Sequence, residues 1–327
     1  MKMNTMNNLN RNDALIRCCA ECGVDEGVAS LKVCKSCMFA RYCNADCQRN
    51  HWPTHKQECK RRAAELRDKA LFKDPPPKED CPICFLPMPI SAFASISLPS
   101  ATILSVPIDD FVEGLPGKAM EAYYPCCGKS ICVGCIHSFG TSGNTEKCAF
   151  CNSVRGSKSH EEQVKDLMKR VEANDAGAIC LLGSYYYHGL RGYQQDRERA
   201  KELLTRSVEL GSSKAHGHLG ELYEEGGDLK KAKFHREEAA MAGHETARCI
   251  IGSKEYESGN VERAVKHWMI AASAGEYKAM KAVLRCFEEG ICSRDQIDST
   301  LIAYNDSCAE MRSEARDSFI HMYMINN

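Results

Sequence analysis

Sixteen of the 21 cysteines in this 327-residue chain fall into two blocks, Cys18 to Cys59 and Cys81 to Cys151, and most stand in pairs two or three residues apart. A pair at that spacing sits on a tight turn and aims two sulfurs at one point, so a short segment can fold around an ion where it lacks the length for a large apolar core. The opening MKMNTMNNLNRND has no secretory apolar stretch, and no run reaches the roughly 18 apolar residues of a membrane span. The expected setting is a reducing intracellular one, cytoplasmic or nuclear, with no membrane partner; there, paired cysteines favour zinc over disulfides. A formal net charge of -1 offers no counterion-release advantage, so nucleic acid is not an expected partner. The basic residues around Lys60 to Lys69 read as a solvated helix face.

Shifts in composition set the expected domains. Residues 1–16 read as a disordered tail, 17–62 as a first zinc module, and 63–79 as a helical and proline-rich linker. The linker ends in Asp74-Pro75-Pro76-Pro77, which cannot continue a helix. Residues 80–153 read as a second module with a long insert, whose run ISAFASISLPSATILSV is expected to pack on it as strand or hairpin. Residues 154–172 read as a linker, 173–290 as helical repeats, and 291–327 as capping helices that seal the last apolar face.

The first block runs Cys19-x2-Cys22, Cys34-x2-Cys37, Cys43-x3-Cys47, His55-x3-Cys59, which is eight ligands for two tetrahedral ions. With YCNADCQRNHWPTHKQEC intact, the block closely resembles the MYND finger. That resemblance implies interleaved pairs: Cys19, Cys22, Cys43 and Cys47 on one zinc, Cys34, Cys37, His55 and Cys59 on the other. Both shells would be filled by protein and hence structural, each ion supplying on the order of 10 kcal/mol of folding free energy. Cys18 and His51 are left over. MYND fingers bind proline-containing peptides, and the family's groove positions fall on Gln48 and Trp52; packing of Trp52 against the zinc-bearing helix is the alternative.

The second block runs Cys81-x2-Cys84, Cys126-Cys127, Cys132-x2-Cys135, Cys148-x2-Cys151. With PCCGKSICVGC at its centre it resembles an all-cysteine RING finger. The resemblance implies one zinc on Cys81, Cys84, Cys132 and Cys135 and a second on Cys126, Cys127, Cys148 and Cys151, four structural zincs in all. Adjacent side chains diverge in extended backbone, so a set with one of Cys126 and Cys127 completed by His137 stays open. In RING-type ubiquitin ligases an apolar residue between the first two ligands and an aromatic residue contact the conjugating enzyme; Ile83 and Phe139 match those positions. Ala149 replaces the family's proline, Asn152 stands where a basic residue belongs, and Arg155 comes three residues late.

Beyond Asp175 the chain repeats. Ala215, Ala247 and Ala279 are evenly spaced, as are Ala200, Ala232 and Ala264, and Gly211, Gly243 and Gly275. The pattern A-x3-[LI]-G-x2-Y-x2-G, with the Tyr and Gly one place later in the copy starting at Ala247, places Ala, Leu or Ile and Tyr on one helix stripe, with glycines following as turn and cap residues. No unit covers its own stripe, so neighbours must stack into an α-solenoid. The endings AAMAG and AASAG resemble Sel1-like repeats. Cys180 and Cys249 read as buried small hydrophobes, and His188, His216, His218, His235, His244 and His267 as surface or turn residues.

The expected fold class is multidomain: two small cross-brace zinc modules, MYND and RING-like, followed by an all-α Sel1-like solenoid. Asn305-Asp306-Ser307-Cys308 is similar to a SET methyltransferase cofactor motif, but the chain after it cannot supply the rest of such a site. G-x-S-x-G, G-x4-G-K-[ST] and H-E-x-x-H are all missing. The expected function is a zinc-binding protein interaction scaffold. The alternative is a RING-type ubiquitin ligase whose substrate is recruited by the MYND finger or the solenoid, with a ubiquitin-conjugating enzyme as partner.

Overall fold

The computed structural model describes residues 18–24, 31–90, 120–154 and 159–325. The expected N-terminal tail, the insert from residue 91 to 119 and Arg155 lie outside the described residues. The chain divides into two compact units, Met1–Lys73 and Asp74–Asn327.

In the first unit, β1 (Lys32–Val33) pairs antiparallel with β2 (Arg41–Tyr42), with Lys32 opposite Tyr42. Helix α1 (Ala45–Leu71) follows. Asn44 caps it, its side chain accepting from the Cys47 N–H at 2.9 Å. The sequence reading breaks this segment into a finger and a short linker helix, whereas the structure has one helix of 27 residues. Nothing between Cys59 and Leu71 interrupts it: the stretch is rich in Ala, Leu, Glu, Lys and Arg, and Arg61 and Arg62 both pair with Glu58 one turn back. Leu31, Ala40 and Tyr42 pack with Cys19, Cys34, Cys37 and Cys59 as its buried centre.

The second unit opens with the segment from Asp74 and a hairpin of β3 (Glu121–Tyr124) and β4 (Lys129–Cys132), in which Tyr124 faces Lys129. Helix α2 (Val133–Phe139) and a π turn (Gly140–Asn144) complete this module. Ten helices follow: α3 (His160–Glu172), α4 (Ala176–His188), α5 (Arg197–Glu209), α6 (Ser213–Glu225), α7 (Leu229–Met241), α8 (Glu245–Glu257), α9 (Val261–Ser273), α10 (Tyr277–Glu288), α11 (Arg294–Glu310) and α12 (Glu314–Ile325). The pairs α4 with α5, α6 with α7 and α8 with α9 are the tightest, and each pair packs on the next. The evenly spaced alanines are why: Ala200, Ala232, Ala264, Ala215, Ala247 and Ala279 are all fully or nearly fully buried, letting backbones approach. Gly243 and Gly275 turn the chain between pairs at φ of 90° and 95°, which a side chain rarely adopts.

Several expectations change at the level of packing. The glycines of the A-x3-[LI]-G motif lie inside helices, not at turns: a Cβ on Gly252 would stand 2.6 Å from Trp268 Nε1, so the glycine makes room for the partner helix. Residues 154–172 are not a linker throughout, because α3 buries Leu167 and Val171 against α4. The proline-rich stretch is tied down rather than free: Lys78 Nζ donates to Ala274 O at 2.5 Å and Ser307 Oγ at 3.1 Å, and pairs with Glu245 at 3.6 Å. His267 is fully buried, not on the surface, because it faces the helix stack beside Trp268. Helix α11 covers α9 and α10 as a cap should, but α12 leaves the solenoid and packs on α2.

Candidate metal centres

Four groups of side chains converge, each with its ligand atoms within 4.8 Å of one another: Cys19, Cys22, Cys43 and Cys47; Cys34, Cys37, His55 and Cys59; Cys81, Cys84, Cys132 and Cys135; Cys126, Cys127, Cys148 and Cys151. All 21 cysteines are free of disulfides.

Local backbone explains the convergence. Four of the pairs sit on one kind of turn. Gly23, Phe85 and Asn152 donate N–H back to the carbonyls of Cys19, Cys81 and Cys148 at 2.9 Å, and Met38 does so to Cys34 at 2.8 Å. Those same four residues have φ between 53° and 72°. The reversal leaves both thiols of each pair on the inner side, and it places three non-glycine residues in the left-handed region, where each costs about 1 kcal/mol. His55 and Cys59 lie one turn apart on α1 and share a face.

The adjacent thiols Cys126 and Cys127 occupy the β3–β4 turn. The N–H groups of Cys127 and Gly128 both donate to Tyr124 O, at 3.2 and 2.8 Å, which is helical rather than extended geometry. In helical backbone successive side chains are about 100° apart instead of opposed, so two neighbours can reach one point. Lys129 stands exposed at the start of β4 and replaces no ligand. His137 is not in the group; its ring meets Phe319 edge-on at 5.8 Å. His51 is also outside, its Nδ1 3.0 Å from Tyr42 Oη and its ring stacked on His55.

The spacing within each group suits zinc. A tetrahedral site with Zn–S near 2.3 Å has sulfur–sulfur edges of about 3.8 Å and sulfur–nitrogen edges of about 3.6 Å. Observed edges are 3.7 Å for Cys22–Cys43, Cys19–Cys43 and Cys34–Cys59, 3.4 Å for Cys43–Cys47, and 3.4 Å from Cys37 Sγ to His55 Nε2. In the second unit they are 3.9 Å for Cys81–Cys135, Cys84–Cys132 and Cys127–Cys148, and 3.6 Å for Cys126–Cys151. The donor sets, three of four sulfurs and one of three sulfurs with an imidazole, are those of closed structural sites.

Proton affinities fit ligation as well, since a bound thiol must lose its proton. Burial opposes ionisation of Cys19, but backbone N–H groups from Cys22, Cys43 and Glu21 outweigh it and bring the thiol to about 6. Against the same burial, Cys132, Cys84 and Ile83 donate to Cys81 and Ser153 donates to Cys151, and both come to about 7. Burial also opposes ionisation of Cys34, and backbone N–H groups from Cys37 and Ser36 again outweigh it, whereas Cys127 is pushed up to about 12 by burial and the Cys148 and Cys126 sulfurs. A divalent cation removes that repulsion. Burial and the nearby His51 lower His55, keeping its Nε2 lone pair available.

Gln48 and Trp52 are both exposed and one turn apart on α1, Trp52 by 41%. Ile83 packs partly into the second finger's core, Phe139 is half-buried at the end of α2, and Phe85, which sequence reasoning missed, stands 76% exposed on the first turn of that finger. Its signal was present in the sequence as an apolar residue following a ligand, but nothing in the spacing says it points outward.

Among the described residues no helix is long and apolar enough to cross a membrane. A stretch of 85 residues, 26% of the chain, is 29% identical to the Arabidopsis thaliana protein named "ERAD-associated E3 ubiquitin-protein ligase component HRD3A", of which it covers 12%. Another of 34 residues, 10% of the chain, is 50% identical to the human "Histone-lysine N-methyltransferase SMYD3", covering 8% of it. The chain thus spans a small part of both relatives. Among solved structures, a Sel1 repeat protein from Oxalobacter formigenes aligns with 55% of this chain and 71% of its own at 23% identity and a TM-score of 0.41. The c5321 antigen of uropathogenic Escherichia coli, which has an SLR fold, aligns with 58% of this chain and 43% of its own at 19% identity and a TM-score of 0.38. The family model that describes the MYND finger matches residues 19–59, so the chain carries a MYND finger there.

Proposed function

We propose that this protein is a zinc-stabilised interaction adaptor that holds four structural zincs on the sixteen converging side chains. Its MYND finger takes a proline-containing peptide across Gln48 and Trp52, and the second finger with the helical repeats presents a separate protein-binding surface. The observation that carries this reading is Trp52: a large aromatic left 41% exposed on a helix whose face is fixed by His55 and Cys59. A rigid exposed indole is well suited to stack on a proline ring, because little side-chain freedom is lost on binding. Two linked heads gain avidity when one partner reaches both.

The test is titration of full-length protein with proline-containing peptides, followed by calorimetry. Trp52→Ala should abolish heat of binding with zinc content unchanged, and Gln48→Ala should weaken it. Peptide affinity that survives Trp52→Ala would remove the MYND surface from the reading.

A second reading, a RING-type ubiquitin ligase, is favoured by Ile83 and the exposed Phe85 side by side on the first turn of the second finger. Ala149 and Asn152 stand against it. Ubiquitin-chain formation with a panel of conjugating enzymes that disappears on Ile83→Ala would establish it over the adaptor.

A further inference from the structure

Helix α12 docks on the second finger through one buried arginine. Arg316 is fully buried. Its Nη1 donates to Pro87 O at 2.8 Å and Met311 O at 2.5 Å, and its Nη2 to Leu86 O and Cys84 Sγ, both at 3.4 Å. The hydrogen-bond partners of its guanidinium among the described residues are three carbonyls and one sulfur, with no carboxylate among them, and a buried cation with neutral partners alone is strongly disfavoured. The anion at hand is the sulfur quartet: four thiolates around a divalent ion leave a net charge of -2, and Cys81 and Cys132 are themselves fully buried. The approach is close enough to need a glycine, since a Cβ on Gly134 of α2 would stand 2.6 Å from Arg316 Cγ and 2.7 Å from its backbone N. Met120, Phe319 and Ile320 close the contact with apolar surface.

We propose that Arg316 is the counter-cation of the Cys81, Cys84, Cys132 and Cys135 metal site, so that metal binding there and docking of α12 form one linked equilibrium. Zinc in the quartet holds the arginine, and the arginine stabilises the charged quartet; by linkage each strengthens the other by the same factor. Loss of that one ion undocks α12 and bares Phe319, Ile320 and Met120, leaving the helical repeats folded. The proposal rests on the ligand assignment above, and the experiment separates the two.

Full-length wild-type protein must first return four zincs by elemental analysis; fewer would overturn the ligand assignment. Zinc release into a chelator is then followed for wild type, R316Q and R316K. R316Q should release one zinc of the four about 10- to 100-fold faster, as outer-shell changes at metal sites do, with R316K between the two. Hydrogen exchange supplies the reciprocal arm, using C81S, whose sulfur Arg316 does not contact. Amides 314–325 should lose protection in C81S while α9 to α11 keep theirs. G134A, which pushes α12 off its seat with the charge intact, should speed the same zinc. Wild-type release in R316Q, or a protected α12 in C81S, overturns the linkage; if R316Q does not fold, the C81S exchange result decides.

Discussion

Replacing Cys127 by serine tests the least ordinary feature of the candidate metal centres, two adjacent thiols assigned to one ion. Cys127 Sγ lies 3.9 Å from Cys148 Sγ, and Cys126 Sγ lies 3.6 Å from Cys151 Sγ, so either change removes one corner of the same tetrahedron. Among the described residues the finger's own apolar centre is small: Tyr124 and Ile131 are the buried non-ligand side chains of that cluster, worth about 1.5–3 kcal/mol each. A structural zinc contributes about 10–16 kcal/mol, so the metal dominates and its loss melts the turn. That turn also anchors the repeats, because Arg170 donates to Pro125 O at 3.1 Å and to Cys126 O at 3.5 Å. Elemental analysis should therefore give three zincs for Cys127→Ser and for Cys126→Ser and four for His137→Ala, and amides of Tyr124 to Lys129 should exchange freely in the two cysteine variants. Four zincs in either cysteine variant, or three in His137→Ala, would refute the double-cysteine site.

Gly252→Ala forces a methyl to within 2.6 Å of Trp268 Nε1, which donates to Cys249 O at 3.3 Å; overpacking at about 1–3 kcal/mol exceeds the helix-propensity gain of about 1, so the melting temperature should fall. Phe85→Gly relieves a left-handed residue at φ 56° and, with Phe85 76% exposed, sacrifices little packing, so chemical denaturation should show a gain of about 1 kcal/mol; a loss would mean that Phe85 packs in the native protein. Burial, with Arg248 and Arg263 nearby and Glu255 opposing them, lowers His267 to about 4, against 6.5 for an ordinary histidine. The unfolded chain then binds the proton first, so this histidine's contribution is intact above pH 6.5 and drains away as pH falls toward 4, by ~3 kcal/mol. Melting curves of His267→Gln and wild type, compared at each pH, should converge across that window; parallel curves would show that His267 titrates normally.

What the sequence determined by itself was local. Ligand spacing decides which thiols share a turn, because four or five residues fix the reversal at Cys19, Cys34, Cys81 and Cys148. The even recurrence of Ala215, Ala247 and Ala279 decides that the second half stacks, because a stripe on one helix pair needs an identical neighbour. Even the adjacency of Cys126 and Cys127 was readable, though whether both could face one ion depended on a helical turn that no spacing reveals. Only the tertiary structure decided where the leftover surfaces went. The 27-residue α1, the anchoring of Lys78 at Ala274, the burial of His267 and the seat of Arg316 beside Cys84 join positions far apart in the chain or depend on neighbours that arrive from elsewhere. A charged or polar side chain carries no mark of its eventual partner. Nothing in the sequence sets Arg316 apart; the fold buries it and brings its Nη2 to 3.4 Å from Cys84 Sγ.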